Sequence, residues 1–226
     1  MHVGEVLDLN ARKFGTRDCV RAGGQGISFA QMHTDAEQAA GLLQSWGVRP
    51  GDTVALMSLN TPAFVQAFFG IAKAGGVVVP INHKLTAPEV EYILQDCGAQ
   101  ILLFDGALED VVREIDADGH QVSLDSDAAG YPRFEQEMSG GHVYAPVDVS
   151  EDDLAQILYT SGTTGKPKGC MHTHRNVIFA GITGALCMKM DEQDRMLMAM
   201  PIWHSSPLNN WFMGAQFVGA CTVLLR

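Results

Sequence analysis

Apolar positions along the chain alternate between the three-to-four spacing of helices and short continuous runs of strand residues, and the changes fall at capping and turn residues. Val3, Val6, Leu7 and Phe14 suit a short surface helix. Residues 19–22 and 27–29 flank Gly23-Gly24-Gln25-Gly26 as a small hairpin. Met32, Ala36, Ala39, Leu43 and Trp46 recur at helical spacing, Gly47 closes that helix, and Arg49-Pro50-Gly51-Asp52 turns the chain into the apolar run 54–57.

Thr61 is placed to cap a further helix with Pro62 at its first position, where a missing N–H is harmless. Gly75-Gly76 ends it, and Val77-Val78-Val79 reads as a strand buried on both faces. Thr86 and Glu89 have capping-box spacing for a helix that stops at Gly98. A strand over 101–104, a helix marked by Leu108, Val111, Val112 and Ile115, and a strand over 122–124 follow. The alternation predicts an α/β fold, with mostly parallel sheets and helices on both faces.

Residues 125–153 break the rhythm and read as an acidic, solvated connection with one helix around Phe134, dividing subdomains 1–124 and 154–226. Residues 154–159 resume buried strand character, and 170–172 suit a short strand. Thr173 caps a helix whose apolar face is Val177, Ile178, Ile182, Ala185 and Leu186. Met196, Met198 and Met200 suggest a strand packed into the core. The loop 201–210 then stands where open α/β sheets bind ligands, and 220–225 reads as a last strand.

Composition narrows the class. With 226 residues, 46% of them hydrophobic, the chain supports a substantial core. Its net charge of −11 is uneven: residues 105–153 hold 14 of the 26 acidic residues and only Arg113 and Arg133 as bases. No basic stripe points to nucleic acid. Five well-separated cysteines without a C-x-x-C pair suggest reduced thiols, and the first residues lack a signal-peptide pattern, so a cytoplasmic location is expected. The most hydrophobic window, 63–81, is interrupted by Gln66, Lys73 and Gly75-Gly76, which fits a helix and a strand better than a bilayer span and leaves peripheral membrane contact open.

The candidate chemistry lies in Tyr159-Thr160-Ser161-Gly162-Thr163-Thr164-Gly165-Lys166-Pro167-Lys168-Gly169. Glycines let backbone N–H groups converge on anionic oxygens, the hydroxyls of Thr160, Ser161, Thr163 and Thr164 add donors, and Lys166 and Lys168 add mobile positive charge, with Pro167 stiffening the chain between them. A Walker loop needs four residues between its glycines and Ser or Thr after the lysine; here two residues separate Gly162 from Gly165, and Pro167 follows Lys166. A different polyphosphate loop is indicated.

That segment resembles the phosphate-binding signature of the adenylate-forming superfamily, which includes acyl-CoA synthetases, luciferases and peptide-synthetase adenylation domains. Ala72-Lys73-Ala74-Gly75-Gly76 leading to Val79-Pro80-Ile81-Asn82, then Leu85-Thr86-Ala87-Pro88-Glu89, and Pro201-Ile202-Trp203-His204 resemble the family pattern in the same order. The resemblance implies a partial N-terminal AMP-binding domain over 1–226. It also implies activation of a fatty or aryl carboxylic acid by ATP with magnesium, through an acyl-adenylate, and transfer to coenzyme A. A carrier-protein thiol or oxygen as acceptor, and a non-catalytic nucleotide-binding fragment, are the alternatives. The resemblance assigns Thr160, Ser161, Gly162, Thr163, Thr164, Gly165, Lys166, Pro167 and Lys168 to the β- and γ-phosphates, and Trp203 and His204 to the acyl pocket. It places the family's acidic magnesium ligand, ribose aspartate and mobile lysine beyond Arg226, so these 226 residues alone are expected not to complete adenylation. No catalytic or metal-ligating residue is assigned within them.

Other constellations are weaker. Cys170, His172 and His174 share a face only if a strand runs straight through Thr173, and no fourth zinc ligand is apparent nearby. Cys170 lacks a base partner for nucleophilic work. Trp211 and Phe212 fit either an acyl tunnel or the core.

Overall fold

The structure, a computed structural model, describes residues 1–116, 118–125, 128–160 and 166–226. The first helix forms as α1 (Val3–Phe14), and β1 (Asp18–Ala22) pairs with β2 (Gln25–Ser28) in the expected hairpin. Phe29, expected to finish that hairpin, instead opens α2 (Phe29–Ser45), because Ser28 Oγ accepts from Gln31 N and caps the helix. Next come β3 (Thr53–Met57), α3 (Pro62–Lys73), β4 (Val77–Pro80), α4 (Ala87–Cys97) and β5 (Ile101–Phe104). Thr61 Oγ1 accepts from Phe64 N at the start of α3. At the start of α4 the Glu89 carboxylate takes both the N–H and the hydroxyl of Thr86 at 2.8 Å, which holds its pKa below the usual range. Gly98 ends α4 at φ 70°, a conformation that favours glycine.

The helix expected around Leu108–Ile115 is only a 3₁₀ turn, Gly106–Leu108, and the short α5 (Glu109–Arg113). Asp105 Oδ1 accepts from Ala107 N and draws the chain into that tight turn. The remaining elements are β6 (His120–Ser123), α6 (Phe134–Met138), β7 (Leu154–Thr160), β8 (Lys168–Thr173), α7 (His174–Met188) and β9 (Arg195–Met198). A π-helical turn, Ser206–Phe212, then runs into α8 (Met213–Val218) and β10 (Cys221–Leu224).

Two sheets result. The larger has the order β6-β5-β3-β4-β7-β8, parallel except for the antiparallel pair β7 and β8. The smaller has the order β2-β1-β10-β9, parallel except for the hairpin β1 and β2. The period of two sorts the larger sheet's side chains between two cores. Val54, Leu56, Val78, Ile101 and Leu103 face a cluster shared with α2, α3 and α7 and with Val20 and Leu224 of the smaller sheet. Ala55, Met57, Val79, Leu102 and Phe104 face a second cluster under α4 and α5.

The stretches 1–124 and 154–226 do not separate along sheet lines. Strand β7 joins the larger sheet through β4, and β10 joins the smaller through β1, so each sheet draws on both. Between them the acidic connection carries α6, whose Phe134 and Met138 are buried, and lies against α2 where a Cβ on Gly41 would stand 2.8 Å from His142 O.

Some expected core positions are exposed. On α7, Val177, Ile178 and Ala185 are buried, but Leu186 is 73% exposed, because the helix rests on the core through a narrower face than its sequence suggests. Of the three methionines near β9, only Met198 is fully buried; Met200 lies past the strand end and is 47% exposed. No helix among the described residues is long and apolar enough to cross a membrane; the window 63–81 is α3 followed by β4.

Candidate functional site

Strands β3, β4, β5 and β7 run parallel, so their carboxyl ends open on one rim, where such sheets gather ligand-binding loops. Thr160 ends β7 and pairs with Lys168 at the start of β8, which makes the glycine-rich segment the connection of an antiparallel pair. Ser161, Gly162, Thr163, Thr164 and Gly165 lie outside the described residues. On either side of that stretch, Thr160, Lys166 and Lys168 are exposed and Pro167 is half-buried.

Helix α4 borders the loop. Tyr92 Oη donates to Pro167 O at 3.4 Å, and Lys166 Nζ stands 5.3 Å from the centre of the Tyr92 ring. Tyr159 Oη donates to Asp96 Oδ2 at 2.6 Å. Neither Lys166 nor Lys168 is paired with a carboxylate among the described residues. In a chain of net charge −11, two exposed ammonium groups without acidic partners beside a loop of hydroxyls fit a polyanion.

The second part of the site is the loop after β9. Trp203 Nε1 donates to His83 Nδ1 at 3.1 Å, with the rings edge to face at 6.2 Å between centres. His83 belongs to the loop after β4, and its pKa is lowered first by burial and then by the Lys84 charge, which favours the neutral ring that can accept this bond. His204 is exposed, its ring 5.5 Å from that of Trp203, and its side chain makes no hydrogen bond among the described residues. Trp211 Nε1 donates to Ser206 Oγ, whereas Phe212 is fully buried edge-on against Phe68, so only Trp211 stays near the surface.

Several polar residues at this rim carry no motif that single-sequence reading would flag. Buried Asn60, after β3, bonds to the main chain of the loops after β9 and β10. Gln156 of β7 donates to Asn209 Oδ1 at 2.8 Å in the π-helical turn, and both are buried. Asp105, fully buried at the end of β5, accepts from Arg226 at 2.7 Å across the two sheets. Asn60 and Asp105 share one signal of position: each follows the last residues of a buried parallel strand.

The Cys170, His172 and His174 constellation does not assemble. Cys170 is exposed on β8, while His174 begins α7, is fully buried, and uses Nδ1 to accept from Val3 N at 3.2 Å. Among the described residues no cluster of three His, Cys, Asp or Glu side chains is placed to hold a metal ion.

Residues 7–226 match the sequence profile of the family described as AMP-binding enzyme. The chain is 35% identical over 190 residues to the long-chain fatty acid CoA ligase FadD13 of Mycobacterium tuberculosis, an overlap of 84% of this chain and 38% of that protein. It is 34% identical over 211 residues to the crotonobetaine/carnitine CoA ligase of Salmonella typhimurium, covering 88% of this chain and 41% of the relative. Among solved structures, the anthranilate CoA ligase AuaEII in complex with anthranoyl-AMP superposes with a TM-score of 0.92 at 27% identity, covering 100% of this chain and 45% of that one. The chain spans about two fifths of the length of the curated relatives it matches.

Proposed function

The chain belongs to the AMP-binding enzyme family, and on that premise we propose that it supplies the ATP-phosphate clamp and part of the acyl pocket of an acid:CoA ligase. In this reaction a carboxylate oxygen attacks the α-phosphorus of ATP and the bond to the β-phosphate breaks, so pyrophosphate leaves. A thiol, that of coenzyme A, then attacks the acyl carbon and AMP leaves. The observation that carries the reading is the pair Lys166 and Lys168, exposed and without carboxylate partners among the described residues, at the mouth of the β7 and β8 connection. Charge developing on the departing pyrophosphate is what such groups stabilise.

Thr160 to Lys168 take the β- and γ-phosphates in this proposal, and magnesium enters with the nucleotide. Trp203, steadied by His83, and the exposed His204 border the carboxylic acid, of fatty or aryl type. The CoA-ligating relatives and the anthranoyl-AMP complex support that substrate class.

Two measurements test the reading. Calorimetry of the 226-residue chain with ATP and magnesium should show binding, weakened when both lysines are replaced by Ala. The natural protein that carries this chain should release AMP and pyrophosphate, and form a CoA thioester, when given ATP, coenzyme A and a suitable fatty or aryl acid. Release of ADP would exclude adenylation.

A further inference from the structure

Asn60 is 7% exposed and stands just beyond β3, in the larger sheet, yet among the described residues its side-chain bonds reach only the chain around β9 and β10 of the smaller sheet. Its Nδ2 lies 3.1 Å from Met198 O, 3.0 Å from Met200 O and 3.0 Å from Leu225 O, and its Oδ1 accepts from Ile202 N at 2.8 Å. Two amide hydrogens serve three carbonyls, so the amide's orientation is fixed: a flipped group would set oxygen against three oxygens and NH₂ against an N–H. Ile202 itself is fully buried and sits directly before Trp203 and His204. Among the described residues, the main-chain N–H groups of Ala199, Met200 and Trp203 make no comparable bond.

We infer that Asn60 is a positioning residue that pins the β9 loop at Ile202 and so aims Trp203 and His204 at the carboxylic acid. The inference rests on the proposed ligase reading for its consequence in catalysis, but not for the pinning itself. An alanine at this position leaves the buried Ile202 N–H without an acceptor and frees the loop between Met198 and Pro201. The strand and helix that flank Asn60 keep their own hydrogen bonds, because its side chain serves none of them.

Hydrogen exchange followed by NMR on the 226-residue chain tests the pin without any substitution. The Ile202 amide is expected to exchange far more slowly than those of Ala199 and Trp203, and equal rates would overturn the inference. In Asn60→Ala, Ile202 exchange should accelerate roughly tenfold or more while amides of β3 and α3 hold their rates. Uniform acceleration across β3, α3 and Ile202 would show a general structural role and overturn it, as would no change. In the natural protein, Asn60→Ala should raise KM for the acid and leave KM for ATP near its unmutated value; an equal rise in both would also overturn it. Absence of ligase activity in the unmutated protein would defeat the proposed function, while the exchange rates would still decide whether Asn60 pins the loop.

Discussion

Tyr159 donates its hydroxyl to Asp96 at 2.6 Å, fastening the strand that enters the glycine-rich connection to the last turn of α4. Burial, and then this bond, raise the Tyr159 pKa above its ordinary value of 10.0. Tyr144 is raised to about 12, first by burial and then by Asp8 and Glu37. Both phenols stay protonated in the fold at a pH where the unfolded chain has begun to ionise. The native state therefore holds more protons above pH 10, and stability falls as pH rises from there toward the shifted values. Absorbance titration should show at least two of the four tyrosines ionising late. Tyr159→Phe should reduce the alkaline loss and cost no more than about 1 kcal/mol at neutral pH, since the pair is only partly shielded from solvent.

Replacing Lys166 and Lys168 by Ala should leave the folded state nearly unchanged, because both are exposed and neither holds a carboxylate among the described residues. Urea unfolding should differ from the unmutated chain by no more than about 0.5 kcal/mol. ATP affinity, in contrast, should fall roughly ten- to a hundredfold, as expected when charge-assisted contacts to phosphate are removed. Affinity that survives both substitutions would remove these lysines from the phosphate site.

The fold was largely legible because its punctuation is local. Thr61 with Pro62, Thr86 with Glu89, and Gly98 act within a few residues of where they stand, and the structure uses each as the sequence suggests. Helix α7 was less legible: its apolar residues outnumber those that meet the core, and Phe179 and Leu186 stay outside. The candidate site divides in the same way. Its lysines and hydroxyls announce themselves by density, whereas Asn60, His83 and Asp96 act through partners 138, 120 and 63 residues away, and no spacing rule encodes those meetings.

His174, grouped in the sequence with Cys170 and His172, takes a buried place at the junction of α7 and α1. Burial is the first cause lowering its pKa to about 4, with the neighbouring His2 charge adding to it. The folded ring stays neutral where the unfolded chain's imidazole takes up a proton, so the unfolded state binds more protons between pH 6.5 and about 4. Stability is complete above pH 6.5 and declines through that window, by about 3 kcal/mol if this group alone acts. In His174→Phe, which cannot accept from Val3 N, stability at pH 7 should drop by about 1 kcal/mol while the decline between pH 6.5 and 4 becomes shallower. An unchanged acid slope would show that other groups control it.

Lys73 offers a sharper contrast, since it looked in the sequence like an interruption of an apolar window. Its side chain is 2% exposed, and its ammonium pairs with Asp8 and lies 3.6 Å from Glu37, with the Tyr144 ring 5.5 Å away. The cation is buried, but the two carboxylates are not: Asp8 and Glu37 side chains are 30% and 39% exposed. Removing the cation leaves two anions that water can solvate, whereas removing an anion leaves a buried cation short of charge. Lys73→Met, close in length and apolar, should therefore cost little, within about 1 kcal/mol or even a slight gain. Asp8→Ala should cost more, about 2–3 kcal/mol, below the full range for a buried pair because Glu37 remains beside the ammonium. Urea unfolding of the two variants at pH 7 measures the difference, and a reversed order, with Lys73→Met the more damaging, would show that Lys73 holds α1 and α2 together through its charge.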